Sequence, residues 1–181
     1  MDWTKSKSIL IVALLITNLV IAGSYYVSIS DNNAEQIAVA QSTQTYLMQK
    51  GINLNIQIPT QSLRKSVLFV RFEPPVTGGK KETVYYNEML VETSLDIENQ
   101  IIPLTYGETK RDISSASYAL LKFAASLDEE LNRDVTVTNI ELIYLVDTSE
   151  YDQKITEDTA VPTWKISIAD GKSYYVNAYG E

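Results

Sequence analysis

The 181-residue chain carries 15 Lys and Arg against 23 Asp and Glu, a net charge of −8, and contains neither Cys nor His. An acidic surface repels nucleic acid, anionic headgroups and wall polymers, which points to protein contacts or to plain solubility. Without Cys there is no lipoprotein anchor and no disulfide framework, and without His the usual general base, the commonest zinc ligand and the ordinary pH switch are gone.

No charged residue occurs between Lys7 and Asp31. As an α-helix, residues 9–29 reach about 30 Å at roughly 1.5 Å per residue, the thickness of a bilayer's hydrocarbon core, so the stretch reads as a transmembrane helix. Only Thr17, Asn18, Ser24 and Ser28 are polar, and Tyr25 and Tyr26 suit the headgroup belt. Lys5 and Lys7 precede the span while Asp31 and Glu35 follow it, so the positive-inside rule places residues 1–8 in the cytoplasm and everything after Ser30 outside. A cleaved signal peptide is the main alternative, with Val20-Ile21-Ala22 as a passable cleavage site. The apolar run continuing through Tyr25, Tyr26, Val27 and Ile29 favours a retained anchor. A buried core helix is a third reading, weakened because a helix apolar on all sides at a chain terminus has no shell to cover it.

Helical spacing gathers Ile11, Leu14, Leu15, Asn18, Ala22 and Tyr25 on one face of this span. Asn18 is its strongest hydrogen-bonding side chain and lipid offers it no partner, so this face is expected to meet another membrane helix. A bond within its own helix, or to a water defect, is the alternative.

Setting aside Asp2, Lys5 and Lys7 leaves 13 basic against 22 acidic groups, a net charge of −9 for the exported part. Its length of about 150 residues suffices for one ordinary domain or two small ones. Asn32 or Asn33 is expected to cap a helix with apolar positions at Ile37, Ala40, Gln44/Leu47 and Met48, ended by Gly51. Residues 52–58 alternate apolar and polar as a half-buried strand stopped by Pro59, and residues 66–73 form a second strand. Pro74, Pro75, Gly78 and Gly79 break regular structure before a third strand over residues 83–92, and residues 101–106 make a short extended piece before Gly107.

The same order then recurs. Ser114 or Ser115 caps a helix through Leu131, with Tyr118, Leu120, Leu121, Ala124, Ala125 and Leu127 on its apolar side. Asp128, Glu129 and Glu130 face the negative pole of its dipole, as a solvated face or a contact surface. A long strand over 136–146, an acidic loop over 147–159 and strands over 162–168 and 173–179 complete the chain. The last two read as a hairpin around Asp170-Gly171. A three-residue loop with Gly171 left-handed sets Ile166 opposite Tyr174 and Trp164 opposite Val176, whereas a two-residue turn opposes Ile166 to Tyr175. The expected fold class is α+β: an N-terminal transmembrane helix, then an extracytoplasmic domain of two helix-plus-antiparallel-sheet halves, residues 30–106 and 107–181, each in αβββ order.

Catalytic chemistry would need a Ser-Lys pair, a carboxylate pair or an oxygen-ligated metal. Ser6-Lys7 and Lys172-Ser173 are only sequence neighbours. Glu150, Asp152, Glu157 and Asp158 lack the ligand alternation and central Gly of a calcium loop, and no glycine pattern cradles phosphate. No catalytic, cofactor or metal site is expected, and the chain reads as a membrane-tethered interaction module rather than an enzyme.

Two segments carry a resemblance. Met1-Asp2-Trp3-Thr4-Lys5-Ser6-Lys7-Ser8-Ile9-Leu10-Ile11, running into Ile16-Thr17-Asn18-Leu19, resembles the opening of the YycI (WalI) two-component regulatory proteins. Pro162-Thr163-Trp164-Lys165-Ile166 and Tyr174-Tyr175-Val176-Asn177-Ala178-Tyr179-Gly180-Glu181 resemble that family's C-terminus, and also the final hairpin of PepSY-like domains. The resemblance implies a single-pass cell-membrane protein of Gram-positive bacteria that associates with a YycH-like sister protein. Together the two modulate the sensor histidine kinase YycG (WalK), which controls cell-wall metabolism, partly through membrane helices. No cofactor and no nucleic acid enters that role. The alternative is a PepSY-like exported inhibitor or ligand-binding module acting on a secreted peptidase or wall component, favoured by the C-terminal hairpin alone.

Overall fold

The computed structural model describes residues 3–60, 63–74, 83–94, 98–127, 134–149 and 156–180, and within the first helix it describes no side chains for residues 3–10, 12, 13, 23 and 25–33. The chain divides into two compact units, residues 1–39 and 40–181.

The first unit is helical throughout its described length. Helix α1 (Trp3–Gln49) starts in it and runs on without a break at Asn32 or Asn33. The expected second helix with its own Asn cap is therefore corrected to a continuation of the first: where the preceding turn already supplies carbonyl acceptors, no orphan N–H remains to be capped. Every described side chain from Ile11 to Ser24 is exposed, the large apolar ones between 55% and 72%. Among the described residues, no helix is long and apolar enough to cross a membrane. Much of the expected span over residues 9–29 lies outside those side chains, Tyr25, Tyr26 and Ile29 included.

The second unit is α+β. After the last turns of α1 come β1 (Ile52–Leu54), β2 (Arg64–Lys65), β3 (Leu68–Glu73), β4 (Val84–Tyr86), β5 (Met89–Thr93), β6 (Gln100–Tyr106), β7 (Arg111–Asp112), α2 (Ala116–Ser126), β8 (Val135–Val146), β9 (Glu157–Ile168) and β10 (Ser173–Asn177). Eight of these strands make one mixed sheet in the order β4-β5-β8-β9-β3-β6, with β1 also beside β8 and β10 also beside β9; β2 and β7 pair separately. Strands β1 and β5 both run parallel to β8, and the remaining pairs in the sheet are antiparallel. Strands from residues 30–106 and 107–181 thus alternate within a single sheet, which corrects the expectation of two αβββ halves with a sheet each. Three-strand runs in sequence look alike whether they pair with themselves or with a distant run, because period-two alternation encodes a buried face and not a neighbour.

The centre is the β8–β9 ladder. Trp164, Ile166 and Ile168 on β9 face the same side as their partners Leu142, Ile140 and Val137. A bulge between Val137 and Asn139 lets Val137 and Ile140, three positions apart, share that side. At one end Leu47 from the last turns of α1 and Ala116, Ala119, Leu120 and Phe123 of α2 cover this face; at the other, Tyr144 and Val146 meet Leu68, Val70 and Phe72 of β3 and Ile101 of β6. Tyr144 is fully buried, and its hydroxyl donates to the Ser66 carbonyl at 2.9 Å.

Pro162 sits inside β9, a central strand that proline normally cannot enter. Its carbonyl accepts from Ala178 N–H, and its ring nitrogen, on the same strand edge, falls where the neighbour changes from β3, last paired at Ala160, to β10, last paired at Thr163. The missing N–H is required by neither. The terminal hairpin has the longer-loop register: Tyr174 opposes Ile166, Val176 opposes Trp164, and Gly171 has φ of 86°.

Two strands differ in extent from expectation. The alternation of residues 52–58 persists in burial, but only Ile52–Leu54 pair with β8. Residues 83–92 are a hairpin and not one strand, because Asn87 and Glu88 adopt φ of 46° and 67° and turn the chain between Tyr86 and Met89.

Candidate functional site

The sequence-derived contact face lies on α1. Ile11, Leu14, Leu15, Asn18 and Ala22 are all exposed, and their helical positions fall within one narrow sector. The side chain of Tyr25 lies outside the described residues.

The candidate chemistry within residues 40–181 is scattered. Lys172 Nζ lies 3.7 Å from Asp170 Oδ2 on the surface, and Ser173 Oγ shares a hydrogen bond with Ser167 Oγ, so this Ser and Lys face different partners. Ser6 and Lys7 have no described side chains, nor do Glu150 and Asp152, nor the acids at 128–130. Glu157 pairs with Arg71 at 3.0 Å, and Asp158 Oδ1 accepts from Thr159 N–H. Among the described residues no three His, Cys, Asp or Glu converge as metal ligands.

What sequence reading missed is a seam. The two ends of the sheet path approach one another: the Tyr86 hydroxyl on β4 donates to the Leu104 carbonyl on β6 at 3.2 Å, and the Tyr86 and Tyr106 rings meet edge-on with centroids 5.0 Å apart. Away from this contact, towards the N-terminal ends of both strands, the seam opens into a cavity of about 470 Å³, within the size range of ligand pockets. Its walls include Thr83 and Val84 on one side and Gln100, Ile101 and Ile102 on the other, with Leu90, Val91 and Glu92 behind. Consecutive residues of a strand point to opposite faces, so consecutive lining residues mean that the cavity meets the edge of β6. The turn at Asn87-Glu88 breaks one apparent strand into the two short strands β4 and β5, and β4 forms one side of the seam.

At the rim, Tyr175 of β10 donates from its hydroxyl to Glu92 Oε2 at 3.1 Å, while Lys165 Nζ of β9 bonds Glu92 Oε1. Partial burial pulls the Lys165 ammonium down, but the hydrogen bond and charge of Glu92 outweigh it and leave the group above its ordinary value. Burial and then the Glu92 charge push the Tyr175 phenol up. A lysine held protonated and a phenol held neutral serve neither as base nor as nucleophile at neutral pH; the trio ties β5, β9 and β10 together beside the cavity. No protein-family model matches the chain, and no curated protein matches it.

Proposed function

We propose that this chain is a single-pass membrane-anchored regulatory protein, with its N-terminus in the cytoplasm and everything after Ser30 outside, that modulates a sensor histidine kinase of the YycG (WalK) kind together with a YycH-like sister protein. The observation that carries the anchor is the exposure of the whole described apolar stretch from Ile11 to Ile21 on a continuous helix. Seven large apolar side chains more than half exposed need lipid or another helix around them, and the charge-free run from Ser8 to Ser30 supplies the length. The kinase as partner rests on the resemblance of the two chain ends to YycI proteins.

The second reading, a PepSY-like exported inhibitor or ligand-binding module, is favoured by the β9–β10 hairpin, whose register places Trp164 against Val176. Purification of tagged full-length protein from membranes, with the candidate kinase co-expressed, separates the two. Co-purification that is lost when residues 1–39 are replaced by a cleavable secretion signal, accompanied by a changed rate of kinase autophosphorylation, supports the regulator. Retained full-length protein in the membrane with no kinase association and no change in that rate sinks it.

A further inference from the structure

We propose that the open seam between β4 and β6 is a docking site for an extended, basic polypeptide segment of a partner protein, which adds as a strand on the free edge of β6 at Ile101. This inference does not depend on the identity of the kinase or on the anchor.

The backbone parity of β6 carries it. Phe72 N–H donates to the Thr156 carbonyl at 2.9 Å, so Phe72 turns its peptide groups towards β9. Its neighbours Arg71 and Glu73 then face β6, where their partners are Ile102 and Gln100. Ile101 and Pro103 consequently direct their backbone groups to the opposite edge, where no strand lies among the described residues. Pro103 has no N–H to leave unpaired, and proline within a sheet is characteristic of an edge strand. Ile101 has both N–H and C=O, is buried as a residue, and lines the cavity. A donor and acceptor on a buried residue at the cavity wall favour a partner. Across the seam, the two-residue turn makes Tyr86 and Met89 the closing bonded pair, so Tyr85 and Thr83 also point their peptide groups outward from the hairpin.

Direction and size fit one strand. Following the pairings from β4 through β5, β8, β9 and β3 to β6, the two seam strands run the same way. A single segment running opposite to both would pair antiparallel with each. A strand residue fills roughly 160 Å³, from a rise of about 3.4 Å, a strand spacing of about 4.8 Å and a sheet thickness of about 10 Å. The cavity of about 470 Å³ exceeds the volume of one such residue and has room for a short length of added strand. Charge selects a basic segment: among the described residues Glu73 stands in register with Gln100 and Glu98 adjoins Asn99, both beside lining positions, whereas Arg71 and Lys165 are already engaged by Glu157 and Glu92. Addition of a strand to an open edge is a recurrent mode of peptide recognition, with affinity from main-chain bonds and specificity from alternate side chains.

The test uses the full chain in detergent micelles and a blocked, fluorescently labelled pentapeptide, Lys-Val-Thr-Val-Lys. Two controls accompany it, one with Glu for both Lys and one with the central amide N-methylated. Anisotropy gives affinity, and amide hydrogen exchange at Ile101 gives the place. The expected result is exchange at Ile101 slowed about tenfold or more by the basic peptide alone, with the N-methylated peptide binding roughly two- to tenfold more weakly for each hydrogen bond lost. Thr83→Pro, at an exposed residue just before β4, removes a seam donor outside the ladder and should weaken binding by a similar factor. The proposal is overturned if Ile101 is already protected in the free chain, which would mean that the chain closes its own seam. It is equally overturned if the basic peptide fails to bind, or if the N-methylated or acidic peptide binds as well as the basic one.

Discussion

Lys165 of β9 and Glu92 of β5, 73 positions apart in sequence, form an ion pair across the intervening β8, and the second Glu92 oxygen is held by Tyr175 of β10. Both side chains are mostly covered, at 16% and 25% exposure, so screening by water is weaker than for the surface pairs Arg64–Asp112 and Arg71–Glu157. Glu92→Ala strands a half-desolvated ammonium and removes the phenol's acceptor. The expected loss is about 1–2 kcal/mol in urea unfolding, against less than about 0.5 kcal/mol for Asp112→Ala.

Alkaline pH should attack the same region. Burial pushes the Tyr144 phenol well above its ordinary value, with the neighbouring Tyr106 and Tyr179 adding to it; burial also raises Tyr179, and Lys165 and Tyr175 are raised as described. Raised groups bind their protons more tightly when folded, so each contributes stability that is fully present below its unfolded value, 10.0 for Tyr and 10.5 for Lys, and that is lost as pH climbs through the folded value. Stability should therefore fall with rising pH above about 10. Tyr144→Phe should flatten that fall, while lowering stability at neutral pH by about 1–2 kcal/mol through the unsatisfied Ser66 carbonyl. Urea midpoints taken between pH 7 and 11 measure both effects.

Ser114 and Ser115 are neighbours with opposite expected phenotypes. Ser115 Oγ accepts from Tyr118 N–H at 3.2 Å as the N-cap of α2, whereas Ser114 Oγ is buried with no hydrogen-bond partner among the described residues. Ser115→Ala should cost about 1 kcal/mol. Ser114→Ala should leave stability unchanged or raise it by up to about 1 kcal/mol, since it deletes an unpaid desolvation and leaves the Ser114 carbonyl to accept from Trp164 Nε1. A thermal melt in which Ser114→Ala is the more damaging of the two would contradict this assignment.

The readable parts of the fold were those with local causes. The terminal hairpin register follows from Gly171 and two alternating runs, and β3 keeps a strict buried-exposed alternation over its whole length. The apolar face of α2 was only half legible. Tyr118 and Leu121 were expected inside, but Phe123 with Ala116, Ala119 and Leu120 is the buried stripe, because Phe123 meets Tyr174 of β10 edge-on at 4.9 Å. Which of two apolar stripes is chosen depends on what covers the helix, and that partner lies 51 positions away. The seam was invisible for a related reason. Asn87-Glu88 lacks the Asn-Gly pattern that marks a two-residue turn, and the edge of β6 that is unpaired among the described residues appears only once β3 has taken the other one.

The last prediction concerns α1, where Ile11, Leu14, Leu15, Asn18 and Ala22 are exposed along one sector while Ile16 and Val20 lie on the opposite side. If the anchor recognises another membrane helix, Asn18 supplies a hydrogen bond worth on the order of 1 kcal/mol, and Ala22, one turn on, lets the two backbones approach. Asn18→Leu removes the bond without adding bulk, and Ala22→Leu adds bulk at the point of approach. Each should reduce co-purification with the kinase by roughly fivefold for about 1 kcal/mol, and the double variant should reduce it further. Ile16→Leu and Val20→Leu conserve hydrophobicity on the far side and should change nothing. On the proposed topology, export and folding should stay level across all four, as judged by release of a protease-resistant fragment of residues 40–181 from intact cells by added protease. Should both faces prove indifferent in detergent and in native membranes, the helix serves as a tether alone and the proposed recognition of the kinase would belong to residues 40–181, where the seam at Ile101 becomes the first place to mutate.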